Sequence, residues 1–339
     1  MSGGIRVIHY GLGAIGSQIA RLVLSREGMR SVAAIDIDEG KAGRDLGRVI
    51  GLDRPLDIPV SKTLASALEG REAEVVLHST DSFLEKVIPQ LREVISAGLN
   101  IVSTCEELAY PAAQHPKLAV EIDTLAKERG VTVLGTGVNP GFIMDTLPLV
   151  ITGVCQEVHR IHVWRRVDAG RRRLSLQRKA GAGLTRAQFQ EGVKARRVGH
   201  IGLRESVALI AGALGWELEA IEESLEPVIA ERPMRTQFLE VGAGQVAGVH
   251  QIGRGIKDGQ EVITLDLEIC VGLEGARDTI SVEGRPSIKL TMEGVHGDIA
   301  TAAMVVNAIP RVVDAPPGLV TMADLPLVQA GLDRSPLSL

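Results

Sequence analysis

The chain has 339 residues, 45% of them hydrophobic, 23% charged and only 2% aromatic, with a formal net charge of −5. That length accommodates two domains with cores of Val, Ile, Leu and Ala, and the mild acidity offers no field that would recruit nucleic acid or an anionic membrane. So few rings leave little on which to stack bases, and three cysteines without close spacing (Cys105, Cys155, Cys270) fit reduced thiols better than a zinc site.

Ile5–Tyr10 is a short, β-branched apolar run, the pattern of a buried parallel strand. Gly11, Gly13 and Gly16 follow at G-x-G-x-x-G spacing, interleaved with Leu12, Ala14 and Ile15, and Ser17–Ser25 reads as a helix. Gly11 allows the tight turn, Gly13 lets the backbone approach a pyrophosphate, and Gly16 allows close helix–strand packing; the phosphates would sit on the helix N-terminus. Asp36 lies twenty residues past Gly16, where a carboxylate accepts bonds from the ribose hydroxyls, with Ile37 beside it. A glycine-rich turn explains the glycines alone; the strand, helix, second strand and acid together predict a dinucleotide site. Glu74–His78 is the next strand, with Ser79 and Thr80 at its carboxyl end, then a helix over Ser82–Ala97 and a strand over Asn100–Ser103. Pro116–Arg129 reads as a helix stopped by Gly130, and Val131–Leu134 as another strand. This alternation predicts an α/β chain whose residues 1–148 form a doubly wound parallel sheet of Rossmann type, with its ligand crevice at the strands' carboxyl ends.

After Pro148 the rhythm changes. Cys155–Arg166 alternates like a half-buried strand, and further strands are predicted at Val246–Ile256, Glu261–Val271, Thr279–Glu283 and Ile288–Glu293. Helices are predicted near Arg186–Lys194 and Leu203–Leu214. Residues 149–331 therefore read as an α+β domain with an open, mainly antiparallel sheet for substrate and dimer contacts. A helix over Asp298–Ile309, N-capped by Asp298, is expected to pack back on the first domain together with the tail. Pro310–Gly318 reads as a surface return and Leu332–Leu339 as a disordered end. No stretch has the length and apolarity of a membrane span and no signal peptide precedes the first strand, so a cytoplasmic protein is expected.

Several side chains in this frame could carry chemistry. Glu106 and Glu107 follow the Asn100 strand; one carboxylate would face the crevice as a general base, while a helix cap or an arginine partner accounts for either equally well. Gly135–Phe142 could wall a small pocket, or simply cross between domains. Arg165, Arg166, Arg171, Arg172, Arg173, Arg178 and Lys179 form a basic cluster, suited to a substrate carboxylate or a 2′-phosphate but equally to a solvated face. His200 sits between glycines before a helix, and Thr301 and Asn307 lie on the last helix, where cofactor contact competes with packing. No Ser-His-Asp order, G-x-x-x-x-G-K-[ST] loop or metal-ligand spacing is present.

Tyr-Gly-Leu-Gly-Ala-Ile-Gly, Ser-Thr-Cys-Glu-Glu-Leu-Ala-Tyr-Pro, Gly-Thr-Gly-Val-Asn-Pro-Gly-Phe-Ile-Met-Asp and Val-Gly-His-Ile-Gly-Leu-Arg-Glu-Ser together resemble the 2,4-diaminopentanoate dehydrogenases and the related amine dehydrogenases, distant relatives of dihydrodipicolinate reductase. The resemblance spans nearly the whole chain. It implies a homodimer that converts a primary amine to a ketone or aldehyde plus ammonia, reversibly, with NAD(P). It implies Glu106 as the catalytic acid–base, in the place a lysine takes in homoserine dehydrogenases. It implies a dinucleotide contact at Asn139 and a substrate pocket lined by Glu107, Val138, Pro140, Phe142, Ile143, Met144, Thr301, Trp164 and His200. Asp36, with acidic neighbours, predicts NAD(H) over NADP(H), with Lys41 and Arg44 close enough in sequence to leave NADP(H) open. The alternatives are a 2,4-diaminopentanoate dehydrogenase proper and an ammonia-independent imine or keto reductase of dihydrodipicolinate reductase type. A catalytically silent dinucleotide sensor is a third.

Overall fold

The computed structural model describes residues 4–331, so Leu332–Leu339 lie outside the described residues. In the first unit, buried strands alternate with helices: β1 (Ile5–Tyr10), α1 (Ala14–Leu24), β2 (Met29–Ile35), α2 (Leu46–Val49), β3 (Val60–Ser61), α3 (Leu64–Leu68), β4 (Val75–His78), α4 (Leu84–Ser96), β5 (Asn100–Ser103), α5 (Pro116–Arg129) and β6 (Thr132–Gly135). Helix α4 shows why: Leu84, Val87, Ile88, Leu91, Val94 and Ile95 recur every three or four residues and are all buried, the stripe that a helix lays on a sheet. Two turns of 3₁₀ helix, Glu106–Ala109 and Pro111–Ala113, link β5 to α5.

The second unit, Ile143–Val295, contains α6 (Thr146–Thr152), β7 (Glu157–Asp168), α7 (Leu174–Lys179), α8 (Arg186–Lys194), α9 (Leu203–Ala213), β8 (Ala220–Ile229), β9 (Met234–Arg235), β10 (Glu240–Val241), β11 (Val246–Lys257), β12 (Gln260–Cys270), β13 (Arg277–Arg285) and β14 (Ile288–Met292). The chain then returns to the first unit with α10 (Gly297–Asp314) and β15 (Gly318–Val320).

The first unit's seven strands run in the order β15-β6-β5-β4-β1-β2-β3, all parallel. The order reverses between β1 and β4, and a doubly wound sheet opens its ligand crevice at that point. The second unit's sheet, β14-β13-β7-β12-β11-β8, is antiparallel except for β7 beside β12. Helix α9 packs on one face of it, with Leu203 and Val207 over Gly253 and Gly255.

Four local expectations change. The first unit ends at Phe142, six residues before the expected boundary at 148 (148 − 142), because Asp145 caps α6 and also accepts from Ser206 Oγ at 2.7 Å, tying that helix to the second unit. Helix α10 starts at Gly297 with His296, not Asp298, as its N-cap. It also runs through Pro310 to Asp314, and Gly318–Val320 adds a strand beside β6 instead of a surface return. A proline inside a helix costs about 3 kcal/mol, and burying Ile309 and Val312, both fully enclosed, offsets it at roughly 1.5–3 kcal/mol each. Strand β8 has no counterpart in the pattern reading: its Ala-Ile-Glu-Glu-Ser-Leu-Glu sequence is that of a half-exposed edge strand, where charge discourages further pairing.

His9 and His78 are buried in the parallel sheet. His9 Nε2 pairs with Ser31 Oγ at 2.8 Å, and His78 pairs through Nδ1 with Ser103 Oγ at 2.9 Å and through Nε2 with Gln90 Oε1 at 2.7 Å. Burial holds both imidazoles down at about 4. The unfolded chain therefore binds protons that the native state refuses, so this stability is complete above about pH 6.5 and is lost as pH falls toward 4. Melting temperatures should be flat from pH 8 to 6.5 and drop steeply below it, and His78→Gln should flatten that slope.

Candidate active site

The dinucleotide loop is held from three strands. Gly11 N donates to Ile35 O at 2.8 Å, Leu12 N donates to Asp36 Oδ2 at 2.8 Å, and Ser79 Oγ donates to Gly11 O at 3.0 Å. A Cβ on Gly16 would overlap the Gly11 carbonyl oxygen, so only glycine lets α1 begin this close to β1. Gly13 differs: nothing lies within 4 Å of the position a Cβ would take, and Gly13 and Ala14 are exposed. The loop is thus closed behind and open in front, as a pyrophosphate requires. Ile15 is half-buried, and the Leu12 side chain joins the core with Leu46 and Val60, so Leu12 offers only its backbone.

Asp36 ends β2 with its carboxylate engaged by Asp38 N and Lys41 Nζ, each at 2.9 Å, besides Leu12 N. Burial would raise its pKa; those donors outweigh burial and hold it below the ordinary carboxylate value. Ile37, 76% exposed, gives the adjacent edge a flat apolar surface of the kind an adenine covers. Thr80 Oγ1 meets Gln90 Oε1 at 2.8 Å and His78 Nε2 at 3.0 Å.

Two strands over, roughly 10 Å along the sheet edge, the chain leaves β5 and enters the 3₁₀ turn that carries both glutamates. Successive residues of a 3₁₀ helix point about 120° apart, and the pair divides accordingly. Glu107 is 1% exposed, and its Oε2 accepts from Leu84 N at 2.7 Å and from His115 Nε2 at 3.0 Å. It caps the first turn of α4, so its expected place in the substrate pocket gives way to a structural one. Glu106 is half-buried at the carboxyl edge. Beside it, burial and then the Glu106 charge push the Cys105 thiol well up, which keeps that sulfur protonated.

The loop after β6 closes this edge. Val138 N donates to Thr301 Oγ1 at 3.3 Å, joining the loop to the start of α10, with Pro140 buried and Asn139 half-buried between them. Phe142 packs into the first unit's core beside Met304 and Val305. Asn307 stands nearly two turns further along α10 and accepts from Arg26 Nη2 at 3.4 Å. Arg26 follows the C-terminal end of α1, so Asn307 is at the far end of that helix from the glycine loop and its expected cofactor contact is withdrawn.

The remaining pocket candidates lie in the second unit. Ile143 and Met144 are fully buried there. Trp164 stacks on His162 with ring centroids 3.5 Å apart, on the opposite face of β7 from Arg165, because side chains alternate along a strand. The basic run also divides: Arg165 and Arg172 are 4% and 8% exposed, while Arg166, Arg171 and Arg178 face solvent. His200 is fixed through its backbone, its N–H donating to Gln251 Oε1 at 2.8 Å and its carbonyl accepting from Gln251 Nε2 at 2.7 Å. Gln251 and the Glu107–His115 pair escaped the sequence reading; the signal for Gln251 was a polar residue in phase with Val249 and Gly253 on an otherwise buried strand face.

Comparison with known proteins fits this frame. Residues 5–105 match the dihydrodipicolinate reductase N-terminus, and residues 142–336 match the 2,4-diaminopentanoate dehydrogenase C-terminal domain. The chain is 38% identical to 2,4-diaminopentanoate dehydrogenase of Acetoanaerobium sticklandii, over 96% of its own length and 94% of the relative's. The chain belongs to the 2,4-diaminopentanoate dehydrogenase family. An amine dehydrogenase of Streptomyces virginiae is 24% identical, covering 95% of this chain and 96% of that one. The solved amine dehydrogenase of Mycobacterium smegmatis superposes with a TM-score of 0.86 at 29% identity, covering 96% and 97% of the two chains. The named relatives of this 2,4-diaminopentanoate dehydrogenase family member are thus oxidoreductases acting on amines.

The two glycine environments predict opposite phenotypes. Gly13→Ala should melt like the parent and bind NAD(H) at least tenfold more weakly by fluorescence titration, whereas Gly16→Ala should lower the melting temperature or prevent folding.

Proposed function

We propose that the protein is an NAD(P)-dependent amine dehydrogenase, reversibly converting a primary amine to a ketone or aldehyde and ammonia, with Glu106 as its acid–base. The observation that carries this reading is one edge of one sheet: a glycine loop closed at Gly11 and Gly16 and open at Gly13 and Ala14, and a half-buried glutamate two strands away whose neighbouring glutamate is spent on a helix cap.

The residues fit a dinucleotide: the loop and the α1 N-terminus would hold the pyrophosphate, Asp36 the ribose, Ile37 the adenine face. Bound there, the nicotinamide supplies the hydride acceptor. Glu106 does the proton work. As an anion it holds the substrate ammonium and then takes its proton, freeing the nitrogen lone pair that drives loss of hydride. That proton passes to solvent, and the regenerated carboxylate takes one from the water that attacks the iminium carbon and hands it to the nitrogen, which leaves as ammonia while the hydroxyl proton is lost as the carbonyl forms. Val138, Pro140 and Thr301 wall that edge and keep bulk water off. The reductase and silent-sensor readings lack a use for a glutamate in this place.

NAD(H) is the preferred cofactor in this reading, because a 2′-phosphate would meet the Asp36 carboxylate, and Lys41 is already paired with Asp36 at 2.9 Å and Asp38 at 3.6 Å. The protein is read as a cytoplasmic homodimer. Its three cysteines are unpaired, and the second sheet presents a face of half-exposed His162, Trp164, His250, Ile252 and Asp266 opposite to α9. Light scattering should give a mass of two chains.

Consumption of NADH with small ketones should require ammonium and be faster than with NADPH; equal loss without ammonium would make the protein a carbonyl reductase. Glu106→Gln should lower kcat/KM by about 10²–10⁴-fold with the NADH dissociation constant unchanged.

A further inference from the structure

The carboxyl edge of the first sheet holds a hydrogen-bond chain that the chemistry above does not use. Strand β4 lies between β1, which ends in the glycine loop, and β5, which leads into the Glu106 turn. A group reaching from that loop to that glutamate therefore crosses the end of β4. Three residues of β4 are Val75, Val76 and Leu77. The fourth, His78, is just as buried, 1% exposed, with the Tyr10 ring in T-shaped contact at 5.5 Å.

Each ring nitrogen of His78 has its own task. Gln90 turns its amide oxygen to Nε2 at 2.7 Å, and an oxygen that can only accept requires the ring hydrogen to sit there. Nδ1 is then a lone pair, and the Ser103 hydroxyl donates to it at 2.9 Å. Burial holds the imidazole at about 4, so the ring is neutral at pH 7 and keeps this tautomer. With its hydrogen on His78, Ser103 Oγ accepts from Cys105 N at 3.1 Å, and Cys105 opens the turn that carries Glu106. On the other side, the Thr80 hydroxyl donates to the same Gln90 oxygen at 2.8 Å and lies 3.0 Å from His78 Nε2. Thr80 is exposed just past the end of β4, and with its hydrogen on Gln90 it has only lone pairs left to present. The donors thus run from Cys105 N through Ser103 and His78 to Gln90, where Thr80 joins. Bonds in such a chain polarise one another, and a fully satisfied chain is rigid. A leucine at 78 would continue the apolar strand at less cost of burial, but it would fix neither direction.

We propose that His78 is a positioning residue for the reaction: it holds the Thr80 hydroxyl, which meets the nicotinamide half of the cofactor, at a set distance from the Glu106 turn. The role rests on the amine dehydrogenase reading and adds to it a residue that touches neither cofactor nor substrate. The two nitrogens give it two arms. The Nδ1 arm, through Ser103 and Cys105, places the acid–base and acts on kcat. The Nε2 arm, through Gln90 and Thr80, places the cofactor and acts on NADH affinity.

The test separates the arms in the full-length enzyme, with kcat for ammonium-dependent NADH consumption counted per NADH-binding site and the fastest of the small ketones as substrate. A glutamine amide nitrogen reaches the place of Nε2, and an asparagine amide oxygen the place of Nδ1. His78→Gln and Ser103→Ala should each lower kcat by about 10–100-fold, with the KM for the ketone nearly unchanged. Their double variant should lose no more than either alone, because both break one chain. His78→Asn should restore most of that kcat and raise the NADH dissociation constant by about 2–10-fold. A purely structural role would lower the melting temperature and the number of NADH-binding sites while leaving kcat per site intact. That result in Ser103→Ala overturns the proposal, and so does a loss in His78→Asn as large as in His78→Gln. Should His78→Gln not fold, Ser103→Ala reads the same arm, since it removes a single oxygen. No ammonium-dependent turnover of any ketone by the unaltered enzyme, with NADH still bound, overturns the amine dehydrogenase reading and the positioning role with it.

Discussion

A side chain cannot fit between Gly16 and the carbonyl oxygen of Gly11, and the whole carboxyl edge of the first sheet depends on that absence. Because the backbones touch, α1 begins within four residues of the end of β1, and its unpaired N–H groups face the point where the strand order reverses. The neighbouring strands then lock the loop: Asp36 from β2 through Leu12 N, Ser79 from β4 through the Gly11 carbonyl. The same contacts fix where a dinucleotide can lie and therefore where an acid–base must stand. In the proposed reading Glu106 meets that demand, from the turn after β5, the second strand along.

Two adjacent glutamates with the same intrinsic chemistry take different parts because a 3₁₀ turn sends them in different directions. Glu107 points inward and finds the free N–H of Leu84 and the ring of His115, so its charge is compensated within the protein and its position is rigid. That rigidity passes to its neighbour. Glu107 N also donates to Ser82 O at 3.3 Å and Cys105 Sγ to the same carbonyl at 3.3 Å, which pins the turn at both its start and its middle. A general base gains from being held in place by groups that do not themselves react.

The second unit handles charge differently. Its central strand alternates Val163, Arg165 and Val167 against Trp164 and Arg166, and places a guanidinium in the apolar face beside Asp278. Burial lowers Arg165 and raises Asp278 relative to their ordinary values; both are under strain that a hydrophobic pair would not feel. Gln251 satisfies the His200 peptide completely while the ring keeps a buried nitrogen unsatisfied.

The sequence by itself determined the α/β alternation, the dinucleotide loop, Asp36 and the two-glutamate turn, because each is encoded locally: hydrophobic period sets helix or strand, and three glycines at fixed spacing set a backbone path. The second unit's long strands were legible for the same reason, apart from β8, whose glutamates suit an edge. Only the tertiary structure separated Glu106 from Glu107, removed Asn307 from the cofactor end, put Trp164 and Arg165 on opposite faces, and split the basic run into buried and solvated members. It also carried α10 through Pro310 and added β15 to the sheet. Those outcomes depend on which distant residue a side chain meets, as Glu107 meets Leu84 and His115, and Arg165 meets Asp278. Partners 23 or 113 positions away leave no trace in local periodicity, since chain packing alone brings them together.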